Sequence, residues 1–213
     1  MTRRFVIIGQ KATASPDFSL LDIPGTSGRL DVLLRCLRAS LCVSHGLRKD
    51  TIAYLVLLGG AHAPRVLRVD GRSVRFVRPD ERMLAILVQK ALSRLPDDTE
   101  PGVFFEIRAG LAVARGGLEA VLAELGTSPP TTSYILEEEA RDLRDGPLED
   151  EDVVVFVGDN HGFDEATRAR LATFGATPIG IGPVSVHADD AITVVCNEMD
   201  RRRVRRETAS ASS

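Results

Sequence analysis

Residues 153–200 read VVVFVGDNHGFDEATRARLATFGATPIGIGPVSVHADDAITVVCNEMD, and this stretch decides the fold. It opens on Val153-Val154-Val155-Phe156-Val157, a short apolar run rich in β-branched residues, which predicts a strand. The run stops at Gly158-Asp159-Asn160-His161-Gly162, residue types that tolerate the backbone angles of a turn. Asp164 is placed to cap a helix, with Glu165 in its first turn. A second short strand, Thr177 to Ile181, breaks at Gly182-Pro183, and a helix follows from roughly Ala188 to Arg203. Two glycine-bearing turns at strand ends, each leading towards a helix, mark the place where open α/β sheets bind small ligands. A backbone without Cβ can approach a ligand and offer its own N–H and C=O groups.

The same reading extends outward. Arg3 to Gln10 predicts a strand apolar enough for the middle of a sheet, and residues 11–28 a loop longer than most connections. Leu30, Leu33, Leu34, Leu37 and Leu41 recur at helical spacing, in a helix expected to end near His45-Gly46. Thr51 to Leu58 predicts a buried strand. Arg65 to Val69 and Ser73 to Val77 flank Asp70-Gly71, which predicts a hairpin with one basic face: Arg65, Arg68, Arg72, Arg75 and Arg78. Pro79-Asp80-Glu81-Arg82 starts a helix running to about Leu95. Val103 to Val113 fits one kinked strand or two short ones. Gly117 to Leu125 predicts a helix, Ser133 to Leu136 a strand, residues 137–152 an acidic surface loop, and residues 204–213 a disordered tail. Strands alternating with helices predict an α/β fold with a mainly parallel sheet, in a single domain over residues 1–203.

The chain has 213 residues, 44% of them hydrophobic, and a mean hydropathy of +0.01. No apolar run reaches membrane-spanning length and no signal or transit peptide is expected, which points to a cytoplasmic protein with no membrane partner. The three cysteines Cys36, Cys42 and Cys196 lack metal-site spacing and predict buried thiols. Net charge is −3, but it is unevenly divided. Residues 1–94 carry 16 Lys+Arg against 7 Asp+Glu, a balance of +9; the remainder carries 11 against 23, a balance of −12. A basic half in an acidic protein suits a polyanionic partner.

Three clusters carry a resemblance. They are Gly158-Asp159-x-His161-Gly162-Phe163; Ile181-Gly182-Pro183-x-Ser185-x-His187-Ala188-Asp189; and Asn197-Glu198-x-Asp200-Arg201. Near the other end stand Pro24-Gly25-x-x-Gly28-Arg29-Leu30-Asp31-x-Leu33-x-Arg35-Cys36 and Pro79-Asp80-Glu81-Arg82. Together these resemble the archaeal-type tRNA (pseudouridine-54) N1-methyltransferase family of the SPOUT superfamily. The resemblance implies a C-terminal deep trefoil knot, a homodimer, a tRNA substrate and S-adenosyl-L-methionine as methyl donor. It carries cofactor contacts onto Leu136, Gly158, the loop Ile179, Gly180, Ile181, Gly182, Pro183, Val184, Ser185 and Val186, and Ala191. At Ala191 the family pattern has a cysteine, so this chain departs there.

N1 of pseudouridine bears a proton, so a carboxylate that accepts or orients it assists transfer. Asp31 is the first candidate and Asp189 the second, with Arg29 beside Asp31. Arg29, Arg35 and Arg82 are candidate phosphate grips. No metal is expected, because a sulfonium methyl is already activated and the histidines lack ligand spacing. A dinucleotide site is disfavoured: Gly180-x-Gly182-x-x-Ser185 only approximates GxGxxG, and Pro183 stands where a helix would open. Three alternatives remain: a SPOUT enzyme acting on ribosomal RNA or a ribose 2′-OH, an RNA-binding homologue without catalysis, and a nucleotide-binding metabolic enzyme.

Overall fold

The fold was described from a computed structural model, covering residues 2–127, 129, 132–146, 148 and 152–211. In chain order the elements are β1 (Arg3–Thr13), α1 (Ile23–Thr26), α2 (Leu30–Leu41), β2 (Cys42–Val43), β3 (Gly46–Leu47), β4 (Thr51–Gly59), β5 (Arg65–Asp70) and α3 (Glu81–Leu92). The second half adds β6 (Phe105–Arg108), β7 (Leu111–Arg115), α4 (Leu118–Thr127), β8 (Thr132–Leu136), β9 (Val153–Gly158), α5 (Glu165–Thr173), β10 (Thr177–Ile179) and α6 (Ala188–Ala211). Eight strands form one sheet in the order β10-β8-β9-β1-β4-β5-β7-β6, with β2 and β3 a separate small ladder. The five strands from β10 to β4 run parallel, and β5, β7 and β6 extend the sheet antiparallel.

The middle of β1, Phe5 to Ile8, and β9 from Val153 to Val157 are apolar on both sides because both sheet faces are covered. Phe5, Ile7, Val153 and Val155 pack with α2, α3 and α6 on one face. Val6, Ile8, Val154 and Phe156 pack with Val121 and Leu125 of α4 and Leu171 of α5 on the other. At about 1.5–3 kcal/mol for each large apolar side chain fully buried, these two layers supply the main driving force. The leucine stripe of α2 lies fully buried, though the helix stops at Leu41, where the short β2–β3 ladder takes over. Asp80 and Asp164 cap α3 and α5, accepting from Met83 N and Thr167 N.

A buried cationic network ties α6 to the start of the sheet. Arg3, fully buried, donates to Asp200 at 2.6 Å, and Arg48 reaches the same carboxylate at 2.8 Å. Arg203 and Arg3 flank Asp50 at 3.4 and 3.6 Å. Burial raises the pKa of Asp200, but the hydrogen bonds from Arg48 and Arg3 outweigh it and hold the carboxyl below its ordinary value. Arg202 turns inward as well, donating to the carbonyls of Leu143, Arg144, Gly146 and Leu148 at 2.8–3.3 Å and to Glu198 at 2.9 Å. Cys36 and Cys196 are buried and Cys42 half-buried; burial pushes the Cys196 thiol up to about 11.

Three sequence expectations need correction. The Asp70-Gly71 hairpin does not form: Asp70 accepts from Arg72 N and Ser73 Oγ, and its carbonyl takes Val74 N. This side-chain-supported turn steers the chain away, and β7 supplies the second neighbour of β5. The basic hairpin face is lost with it, since Arg65 is buried against the carbonyls of Ala14 and Leu92, and Arg68 pairs with Glu124. The 204–213 tail is helical as far as Ala211, supported by Arg203–Glu207 at i,i+4 and Thr208 bonding back to Val204; residues 212 and 213 lie outside the described set. Within the 11–28 connection, β1 continues to Thr13 and α1 forms a single turn. Val103 to Val113 resolves into two short strands, β6 and the start of β7.

Candidate active site

α2 begins where Gly28 and Arg29 both adopt left-handed backbone, at φ +62° and +69°. A Cβ on Gly28 would strike the carbonyl of Lys11, so β1 and this helix start can meet only through a glycine. Asp31, in the first turn, is buried at 2% exposure and receives two arginines. Arg29 binds it through both oxygens, Nε to Oδ1 at 3.0 Å and an Nη to Oδ2 at 3.1 Å. Arg35 reaches Oδ2 at 3.0 Å from one turn further along. Burial works to raise the pKa of Asp31, but hydrogen bonds and charge from Arg29 and Arg35 prevail and hold the carboxyl below its ordinary range. Asp31 therefore stays ionised, with most of its acceptor capacity already used.

Arg35 is the hub of the cluster. Besides Asp31 it lies 3.7 Å from Glu81 at the start of α3 and 3.9 Å from Asp189 in the first turn of α6. Three helices thus converge on one guanidinium. Asp189 is mostly buried, yet among the described residues its carboxylate has only this long contact, so its oxygens are far less committed than those of Asp31. Arg29, Asp31, Arg35 and Asp189, separated by up to 160 positions in sequence, come together as the sequence reading needs. Arg82 is exposed one residue beyond Glu81 and has no ion pair among the described residues.

The expected cofactor loop lies at the C-terminal edge of the parallel strands. Leu136 pairs with Ile179, and Gly158 ends β9 beside Ile8 of β1. A Cβ on Gly158 would sit 2.8 Å from the Gly162 backbone, and one on Gly180 would meet the carbonyl of Ala140. Gly180 is hydrogen-bonded to the connection after β8 through Arg141 O and Leu143 N. Beyond it, Gly182 has φ +138°, Ser185 donates to Glu138 at 2.7 Å, and Val184 and Val186 are exposed at 69% and 45%. The backbone N–H groups of Ile181, Gly182, Val184, Ser185 and Val186 find no protein acceptor among the described residues. Ala191 is buried in the second turn of α6.

Two acidic residues were missed by sequence reasoning. Asp159 is buried and accepts from Gln10 N and His161 N, both at 2.8 Å, joining the ends of β1 and β9. Glu81 reads as an ordinary helix-start acid, and only the approach of α3 to α2 makes it a partner of Arg35. A cavity of about 490 Å³ lies elsewhere, beside α6 between Arg144, Thr193, Val194, Asn197 and Arg201.

Residues 2–204 match the family described as "Putative SAM-dependent RNA methyltransferase". The chain is 37% identical over 204 residues to the tRNA (pseudouridine(54)-N(1))-methyltransferase of Methanosarcina acetivorans, covering 96% of this chain and 93% of that one. The enzyme of the same name from Methanococcoides burtonii is 36% identical over 203 residues, covering 93% and 96%. Among solved structures, Archaeoglobus fulgidus Nep1 bound to S-adenosylhomocysteine superposes with a TM-score of 0.61 at 18% identity, covering 96% of this chain and all of that one. At that identity the likeness speaks to the fold alone, and it agrees with the α/β architecture described above.

Proposed function

The chain belongs to the family of SAM-dependent RNA methyltransferases, and from that premise we propose that it methylates N1 of pseudouridine at position 54 of tRNA. The observation that carries this reading is the 37% identity to a pseudouridine-54 enzyme over 96% of the chain.

The residues at the strand ends suit S-adenosylmethionine. A run of unclaimed backbone donors from Ile181 to Val186, a glycine at 182 flanked only by the Asp142 and Arg144 side chains at ordinary contact distance, and exposed Val184 and Val186 form a surface fit for a polar and apolar ligand together. In this reading Leu136, Gly158, the 179–186 loop and Ala191 hold the cofactor, which supplies an activated methyl group when bound. The protein's own task is then to orient the acceptor nitrogen and remove its proton. Asp189 is the better acceptor for N1–H, because the oxygens of Asp31 are largely consumed by Arg29 and Arg35, whose charges also lower its basicity. Asp31 instead sets the planes of Arg29 and Arg35, whose remaining N–H groups face an RNA phosphate, with Arg82 alongside. The cytoplasm, a homodimer assembled on the outer face of α6 and a C-terminal knot through the connection after β8 complete the reading.

The test is methyl transfer from labelled S-adenosylmethionine to two T-loop RNAs, one with pseudouridine and one with uridine at the target, followed by nucleoside mass spectrometry. Product only from the pseudouridine RNA, as N1-methylpseudouridine, is the expected result. Methylation of both RNAs moves the reaction to a ribose or another base atom and overturns the assignment.

A further inference from the structure

We propose that the surface formed by residues 71–80, the outer flank of α3 and the β6–β7 hairpin holds a single-stranded RNA segment beside the target nucleotide, with Phe76 as the platform on which one unpaired base stacks. The proposal deepens the RNA-methylation reading and rests on it for the choice of RNA.

Phe76 is the first observation. Its ring is 88% exposed and its backbone sits at φ +58°, a region that L-residues with large side chains avoid. The chain thus tolerates a strained backbone and leaves an aromatic face in water, a combination that neither packing nor turn chemistry calls for. The second observation is charge. Arg72, Arg75, Arg78, Arg82, Lys90 and Arg94 are all exposed, and none has an ion-pair partner among the described residues. Several arginines elsewhere are paired: Arg29 and Arg35 with Asp31, Arg68 with Glu124, Arg168 with Glu137. The carboxylates nearby are themselves engaged. Asp70 and Asp80 hold local backbone and hydroxyl donors, Glu106 accepts from Gly110 N, and Glu81 faces Arg35.

The third observation is shape. Phe76 lines a groove of about 170 Å³ whose floor includes Met83, Leu87 and Leu111, and whose rim carries Lys90, Arg94 and Arg108. The Nε of Arg108 is buried there with no hydrogen-bond partner among the described residues. An apolar floor under a cationic rim with a free aromatic face is the chemistry that grips single-stranded nucleic acid: bases stack, phosphates meet cations, and no base edge need be read. Position completes the case. The groove runs along α3 from Met83 to Arg94, on a different face of the helix from Glu81, whose carboxylate touches the Arg35 cluster, and Lys90 stands about 14 Å beyond Glu81 along the helix. A strand leaving the candidate site would pass round the start of α3 to reach Phe76 and then the cationic rim.

The test uses a fluorescein-labelled T-arm hairpin RNA containing pseudouridine, with single-stranded flanks, titrated in fluorescence anisotropy at several salt concentrations. Phe76→Ala should weaken binding about tenfold, and Phe76→Trp should restore it. A Lys90→Ala/Arg94→Ala double variant should reduce the slope of log Kd against log salt by about 1.5. S-adenosylmethionine affinity by calorimetry and the sedimentation coefficient should match those of the unaltered protein in every variant. RNA binding unchanged by Phe76→Ala overturns the proposal, as does failure of the unaltered protein to bind the hairpin. A changed sedimentation coefficient also overturns it, assigning the patch to a second copy of the chain. These readouts need no turnover. If the RNA binds but is not methylated, the functional reading fails while the Phe76 comparison still decides this one.

Discussion

Replacing Asp31 by Asn keeps the shape of the side chain and removes its charge. Three charge-assisted contacts of 3.0–3.1 Å depend on that charge. Asparagine keeps one acceptor oxygen and turns an amide N–H₂ towards an arginine, so at least one contact becomes repulsive. A hydrogen bond to a charged group contributes about 1.5–3 kcal/mol. Arg29 and Arg35, whose side chains are 47% and 36% exposed, recover part of their loss from water, which favours the low end. The expected cost is about 2 kcal/mol at pH 7, or about 4–8 °C in Tm for a chain of this size. The pH dependence gives a sharper test. The folded carboxyl of Asp31 lies below its ordinary value, so its contribution is complete above the ordinary carboxylate range and is lost as pH falls through the folded value. The gap between the unaltered protein and D31N should therefore be full at pH 7 and 5 and close as the pH approaches 3. Thermal unfolding across that series decides the matter. Equal stability at pH 7, or a gap that persists undiminished at pH 3, would refute the claim that Asp31 acts as the ionised anchor of two arginines.

Other outcomes follow from the same geometry. Asp189→Asn should lower kcat about 100-fold on pseudouridine RNA with S-adenosylmethionine affinity unchanged, whereas D31N should chiefly raise KM for RNA; steady-state kinetics with calorimetry separates the two. Asp200→Asn removes the shared acceptor of Arg3 and Arg48, leaving Arg3 buried without its strongest partner, and should lower stability by about 3 kcal/mol in urea titrations at pH 7, the deficit shrinking as pH falls below 4 because this carboxyl too is held below its ordinary value. Arg202→Lys should fail to rescue Arg202→Ala, since one ammonium cannot reach four carbonyls and a carboxylate at once; faster hydrogen exchange in residues 143–148 for both variants is the readout. Gly182→Ala has room for its methyl group but not for φ +138°, so it should weaken S-adenosylmethionine binding about tenfold with little change in Tm.

The parallel half of the fold was legible because its signals are local. The Val153–Val157 run, the leucine stripe of α2 and the caps at Asp80 and Asp164 each act within a few residues, and the sheet had only to bring them together. The antiparallel half was less so. Asp70-Gly71 carries the residues of a tight hairpin, but the same aspartate can bond its own backbone two residues on, and sequence alone does not say which geometry wins. The site divides in the same way. Arg29, Asp31 and Arg35 lie within seven residues of one another and their pairing could be foreseen, while Glu81 and Asp189 reach Arg35 only through the packing of three helices. Arg202 and Arg203, which the sequence places only at the end of the last helix, prove to be structural, because their partners lie more than fifty positions upstream.

The central place of β1 has a consequence for timing. The strand lies between β4 and β9, with Arg3 opposite both Thr51 and Val153. One neighbour is synthesised early, but the other follows 150 residues after Arg3. At about 5–20 residues per second on the ribosome, the far edge of β1 waits roughly 8–30 s for its partner. Through that interval the nascent chain carries β1 and β4 with an open, apolar edge, and α6, which closes the Arg3–Asp200 network, arrives last of all. Synthesis of this protein therefore includes an interval of seconds in which the middle of its sheet is an edge.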